Sequence, residues 1–124
     1  MGQKITVLFV EDDAAIREVI PSILPEGEFT VLVADSGYAA LRILGCRHVD
    51  VLFTDIVMPE FDGVELAKEA LEMCPNLRVL FMTGYLAPDD EAEQIAPLFY
   101  KPIRVREIEY AIRTVLAEPP DRIN

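Results

Sequence analysis

Five short apolar runs rich in Val, Ile, Leu and Phe recur along the chain, at Ile5 to Val10, Phe29 to Ala34, Val51 to Thr54, Val79 to Met82 and Leu98 to Tyr100. Unbroken apolar runs of this length predict strands buried on both faces, as in parallel sheets. Helical spacing fills the intervals. Ile16, Val19, Ile20, Ile23 and Leu24 fall at i, i+3, i+4, i+7 and i+8, and Ile108, Ala111, Ile112, Val115 and Leu116 repeat that pattern. Each set predicts a stripe facing the core. Gly37, Ala40, Leu41 and Leu44 give a shorter stripe, and Val64, Ala67, Leu71 and Cys74 another. Asp62 followed by Glu65 reads as a capping box, Ser36 and Asp89 as caps of two further helices, and Pro75 as a stop. Pro21 interrupts the first stripe on the outward face shared with Arg17, which predicts a gentle kink.

Strands alternating with helices predict one α/β domain, a five-stranded parallel sheet covered by helices on both faces with right-handed crossovers. A chain of 124 residues, 52% hydrophobic, is long enough for one core. We read residues 4–117 as the domain and 118–124, with its adjacent prolines, as a tail or linker stub.

Charge narrows the functional classes. The formal net charge is −11, from 22 acidic and 11 basic residues, which argues against a surface that tracks a phosphate backbone. The two cysteines, Cys46 and Cys74, lack metal-ligand spacing, and so aliphatic a chain needs no disulfide, which fits a reducing cytoplasmic setting. Neither a membrane-spanning run of about 20 apolar residues nor a secretory leader is expected. His48, the one histidine, falls in the loop before the third strand and reads as a surface residue. The acidic stretch "PDDEAEQ" reads as a solvated fourth helix.

The chemistry lies at the strand ends. Glu11 and Asp12 follow the first strand, Asp55 the third, Thr83 the fourth and Lys101 the fifth. In open α/β sheets ligands bind outside the carboxyl ends of the strands, so a parallel sheet gathers these groups on one edge. Taken singly, each has an ordinary role. Glu11, Asp12 and Asp13 can cap a helix, Asp55 and Thr83 can form turns, and Lys101 can be a surface lysine. Together they suit Mg²⁺ held by hard oxygens, an aspartate nucleophile for phosphoryl transfer, and a hydroxyl and an ammonium to receive the phosphoryl oxygens.

In order and spacing, "VLFVEDD", "VLFTDIVMPEFDG", "VLFMTGY" and "YKPI" resemble the CheY-like receiver domain of two-component response regulators, over about Lys4 to Ala117. The resemblance implies a doubly wound sheet of order 2-1-3-4-5. It implies that Asp55 is the phosphoacceptor and that Asp12, Glu11, Asp55 and the Val57 carbonyl hold Mg²⁺. Thr83 and Lys101 would bind the phosphoryl group, and the peptide bond before Pro102 would be cis. The donor would be a phosphohistidine on a sensor histidine kinase or phosphotransfer protein, with small phosphodonors also able to load the site. Output would pass through the fourth helix, fifth strand and fifth helix to a protein target, as a monomer or a phosphorylation-dependent dimer, with no direct nucleic-acid or membrane contact.

Two features depart from the commoner family pattern. The switch position on the fifth strand, usually aromatic, is Leu98; Phe99 is expected on the opposite face and Tyr100 on the same one. At the positions that tune dephosphorylation stand Val57 and Tyr85, a pair that predicts slow loss of the phosphoryl group. A haloacid-dehalogenase-like phosphatase would need an acid where Val57 stands, and a flavodoxin or Rossmann binder a Gly-, Ser- or Thr-rich turn where Glu11 and Asp12 stand. A pseudo-receiver that docks without phosphorylation, and a receiver forming part of a hybrid kinase or transcription factor, are the other readings of the same fold.

Overall fold

The computed structural model describes residues 4–84, 90–101 and 104–118. Asp89, Tyr85, Pro102 and the tail beyond Glu118 lie outside them. Element order is β1 (Ile5–Val10), α1 (Ala14–Val19), a 3-10 turn (Ile20–Ser22), β2 (Phe29–Ala34), α2 (Gly37–Cys46), β3 (Val51–Asp55), α3 (Gly63–Met73), β4 (Arg78–Thr83), α4 (Asp90–Ile95), β5 (Leu98–Tyr100) and α5 (Val105–Ala117). All strand pairs are parallel and the sheet order is β2-β1-β3-β4-β5, as expected.

Strand alternation sorts the core into two halves. Val7, Phe9, Val51, Phe53, Leu80 and Met82 point to one face, where Ile20, Leu24, Ile108 and Ile112 cover them. Leu8, Val10, Leu52, Val79 and Phe81 point to the other, beneath Ala40, Leu44, Leu66, Ala67 and Ala92. Phe9 stacks on Phe53 with ring centroids 5.3 Å apart, tying β1 to β3 at the centre of the sheet. Both β3 and β4 run slightly longer than the apolar runs suggest, because the ladder takes in Asp55 opposite Met82, Arg78 opposite Val51 and Thr83 opposite Tyr100.

The predicted caps form as local chemistry requires. Asp13 Oδ1 accepts from the Ala15 and Ile16 amides at 2.9 and 3.3 Å, Ser36 Oγ from the Ala39 amide at 3.1 Å, and Asp62 Oδ1 from the Glu65 amide at 2.9 Å. The Glu65 carboxylate reaches back to the Asp62 amide at 3.4 Å, completing the capping box.

The first stripe departs from expectation. Instead of a kinked continuous helix, α1 ends at Val19 and a 3-10 turn follows. Pro21 has no N–H to donate and its ring would crowd the carbonyl four residues back, so the backbone tightens into an Ile23-to-Ile20 hydrogen bond of 3.1 Å. Ser22 Oγ donates to the Val19 carbonyl at 2.8 Å, meeting an acceptor the broken helix leaves open. As a result Ile20 and Leu24 are buried, whereas Val19, expected to face the core, is 56% exposed. Arg17 does not simply share an outward face with Pro21 either: its Nη1 donates to the Glu11 carbonyl at 3.0 Å.

Candidate functional site

Parallel pairing aligns the carboxyl ends of β1, β3, β4 and β5. Val10 pairs with Thr54, Asp55 with Met82, and Thr83 with Tyr100. Glu11 therefore emerges beside Asp55, and Lys101 follows the strand adjacent to Thr83. The Glu11 backbone is pinned by its amide, which donates to the Ala34 carbonyl at 3.1 Å, and by Arg17 on its own carbonyl.

The side chains meet as the strand ends require. Carboxylate oxygens of Glu11, Asp12 and Asp55 lie within 4.8 Å of one another. Glu11 is 1% exposed and Asp55 5%, while Asp12 opens to solvent. Lys101 Nζ donates to Glu11 Oε1 at 2.8 Å and to Asp55 Oδ2 at 2.9 Å. The other oxygens of these two acids are also engaged: Glu11 Oε2 accepts from the Asp13 amide at 3.2 Å and Asp55 Oδ1 from the Val57 amide at 3.3 Å. Thr83 is buried at the end of β4, and its carbonyl accepts from the Lys101 amide at 2.8 Å, which fixes where the lysine starts.

Electrostatics explains this division of partners. Two carboxylates about 4 Å apart repel by about 4 kcal/mol at an effective dielectric of ~20, so an ammonium between Glu11 and Asp55 offsets a large cost. Burial pushes the Glu11 carboxyl above its usual range, opposed by the hydrogen bond from Lys101. At Lys101 burial works against the charge, but the hydrogen bonds and charges of Glu11 and Asp55 together outweigh it and hold the ammonium above its ordinary value. Three converging hard oxygens, one of them open to solvent, form a donor set that fits Mg²⁺, which takes few protein carboxylates and keeps other positions for water or phosphate oxygens.

The remaining residues singled out in the sequence are less central. Val57 stands at the rim, 46% exposed. Leu98 is partly buried, packs against the α2–α3 half of the core and pairs in register with Phe81, one step inside the Thr83–Tyr100 pair on the same face. Phe99 turns to the opposite face, as alternation predicts. His48 is exposed and bonded to Asp50 at 2.8 Å, far along the sheet from the acids. Tyr85 and Pro102 are outside the described residues.

Sequence reasoning missed two supports. A Cβ on Gly63 would stand 2.2 Å from the Asp55 carbonyl oxygen, so only glycine lets α3 begin directly beneath the end of β3. A glycine in the first turn of a helix, where it weakens the helix, was the available signal. Glu60 has φ of 69°, and the Phe61 amide donates to the Pro59 carbonyl at 2.7 Å, forming a γ-turn on a non-glycine residue. Nothing in the residue types announced it.

Comparison with known proteins agrees with this geometry. The family model described as the response regulator receiver domain matches residues 7–113. The response regulator receiver protein CpdR of Brucella abortus is 36% identical over 114 residues, covering 89% of this chain and 95% of that protein. The sensor kinase CckA of the same organism is 41% identical over 83 residues, or 64% of this chain but 9% of the kinase. A receiver-domain crystal structure from Clostridium thermocellum superposes with a TM-score of 0.82 at 26% identity, covering 91% of this chain and 94% of that one. With its doubly wound fold and acidic strand edge, the chain belongs to the response regulator receiver domain family.

Proposed function

We propose that this receiver domain, residues 4–117, accepts a phosphoryl group on Asp55 from a phosphohistidine of a sensor histidine kinase or phosphotransfer protein. The observation that carries the reading is the convergence of Glu11, Asp12 and Asp55 oxygens with Lys101 bound to Asp55. Glu11, Asp12, Asp55 and the Val57 carbonyl would hold Mg²⁺, which when bound supplies charge neutralisation for the acids and the incoming phosphoryl oxygens.

The chain's own residues do the rest. Val57 N–H orients the Asp55 carboxylate through Oδ1. An Asp55 oxygen forms the new O–P bond while the donor's N–P bond breaks and the imidazole leaves with that electron pair. Lys101 then pairs with the phosphoryl oxygens, and the Thr83 hydroxyl donates to one of them. Engaging Thr83 at the end of β4 biases the neighbouring α4–β5 face, where α4, β5 and α5 meet the downstream partner. Leu98, packed against the core at the switch position, has no aromatic ring to move with Thr83.

Loss of the phosphoryl group is slow in this reading, because the exposed Val57 side chain cannot hydrogen-bond an attacking water. The setting is cytoplasmic; among the described residues no helix is long and apolar enough to cross a membrane. A second reading, a receiver forming part of a longer hybrid kinase, is favoured by the likeness to CckA, of which this chain spans 9%.

Intact-mass measurement with Mg²⁺ and acetyl phosphate tests the reading. One Mg²⁺-dependent phosphoryl adduct, absent in Asp55→Ala, is expected. No adduct, together with failure to bind beryllofluoride, would leave a pseudo-receiver that works by docking alone.

A further inference from the structure

The loop between β3 and α3 carries Val57, whose amide holds Asp55. Its two ends are tied by the Ile56 amide on the Met82 carbonyl at 3.0 Å and the Gly63 amide on the Ile56 carbonyl at 2.7 Å. Between those ties the side chains alternate: Met58 and Phe61 plug into the core while Val57 faces out. The Phe61 plug is held from α2. Its ring fills the space a side chain at Gly37 would need, with a Cβ there standing 2.3 Å from Phe61 Cδ2, and the next residue, Tyr38, stacks on it with centroids 4.9 Å apart at 28°.

Tyr38 is 54% exposed, so its own burial contributes little to the core. What its ring does is close over Phe61. The geometry points to Tyr38 as a positioning residue: its stacking on Phe61 fixes the Ile56–Phe61 segment and with it the Val57 amide that donates to Asp55. The strained γ-turn at Glu60, immediately before Phe61, makes such a latch necessary, since a loop holding an unfavourable φ relaxes unless its surroundings over-determine it. An aromatic pair shifts a local opening equilibrium by about two- to tenfold. The latch itself does not need the phosphoacceptor reading; its importance for loading the site rests on that reading.

The test uses the full chain as wild type, Tyr38→Ala, Tyr38→Phe and Phe61→Leu. Amide hydrogen exchange is followed at Val57 and, as a reference for global opening, at Phe9 in β1, and Mg²⁺ affinity is titrated without phosphodonor. Tyr38→Ala and Phe61→Leu are expected to speed Val57 exchange about two- to tenfold with Phe9 unchanged, and to weaken Mg²⁺ binding only in proportion to the added fraction of open loop, while Tyr38→Phe behaves as wild type. Unchanged Val57 exchange in Tyr38→Ala, or equal acceleration at Val57 and Phe9, would overturn the inference. If wild-type protein takes no phosphoryl group but the Val57 response persists, the phosphoacceptor reading fails and the latch stands. A normal adduct in Tyr38→Ala with unaltered exchange gives the reverse result.

Discussion

Gly63 begins α3 directly under Asp55, leaving no room for a side chain: a Cβ would lie 2.2 Å from the Asp55 carbonyl oxygen and 2.8 Å from the Ile56 Cα. Both obstacles are backbone and cannot rotate away. Gly63→Ala is therefore expected to destabilise the fold by about 2–3 kcal/mol, as overpacked cores do, despite alanine's better helix propensity. Urea denaturation measures this, and a stability equal to or above wild type would show that α3 can shift freely.

Lys101 is the cation shared by two buried acids. In Lys101→Met, Glu11 and Asp55 face each other without it, so the protein prepared without divalent ions should lose about 1–3 kcal/mol, part of which Mg²⁺ restores. Thermal melts with EDTA and with Mg²⁺ give the comparison. A melting temperature insensitive to both the substitution and the ion would count against a coupled charge cluster.

Glu60 holds a φ that only glycine adopts at no steric cost. Relief of backbone strain exceeds the extra unfolded-chain entropy in Glu60→Gly, and a gain of about 1 kcal/mol is expected. The urea midpoint should rise while the slope stays constant.

The break after α1 separates two neighbouring apolar residues. Val19→Ser should change stability by no more than about 0.5 kcal/mol, whereas Ile20→Ala should cost about 2–4 kcal/mol. Similar losses at both positions would mean that the helix runs on through Pro21 with Val19 inside.

Much of the fold was legible because two local rules act independently of distant context. Alternation in β1, β3 and β4 assigns each residue a face, and the Asp13, Ser36 and Asp62 caps use hydrogen bonds within three residues. The acids, Thr83 and Lys101 could be gathered on one edge because parallel strands put all their carboxyl ends together. Other features depend on how whole elements sit against one another. Arg17 meeting the Glu11 carbonyl depends on how α1 tilts, and Phe61 occupying the space beside Gly37 depends on α2 and the β3–α3 loop meeting across the fold. At Pro21 the residue was visible but its effect was not: kink and 3-10 turn begin from the same missing amide, and burial of Ile20 and Leu24 decides between them.

At the far end of β4, Arg78 donates Nε to the Val115 carbonyl at 3.2 Å, Nη2 to the Glu118 carbonyl at 2.7 Å and Nη1 to the Asn76 carbonyl at 2.7 Å. Arg78→Met should loosen the last turn of α5, seen as faster amide exchange near its end, at a cost of about 1–2 kcal/mol.

That same strand makes Arg78 and Thr83 opposite ends of one strut. Six residues at about 3.3 Å each give it a length of about 20 Å, paired with β3 from Arg78 to Met82 and with β5 from Phe81 to Thr83, and almost wholly buried. A strut of this kind does not stretch. It moors the exit of α5 at a fixed point opposite the acidic edge, so a displacement imposed at Thr83 would find its compliance sideways, toward the three-residue border strand β5, rather than along β4.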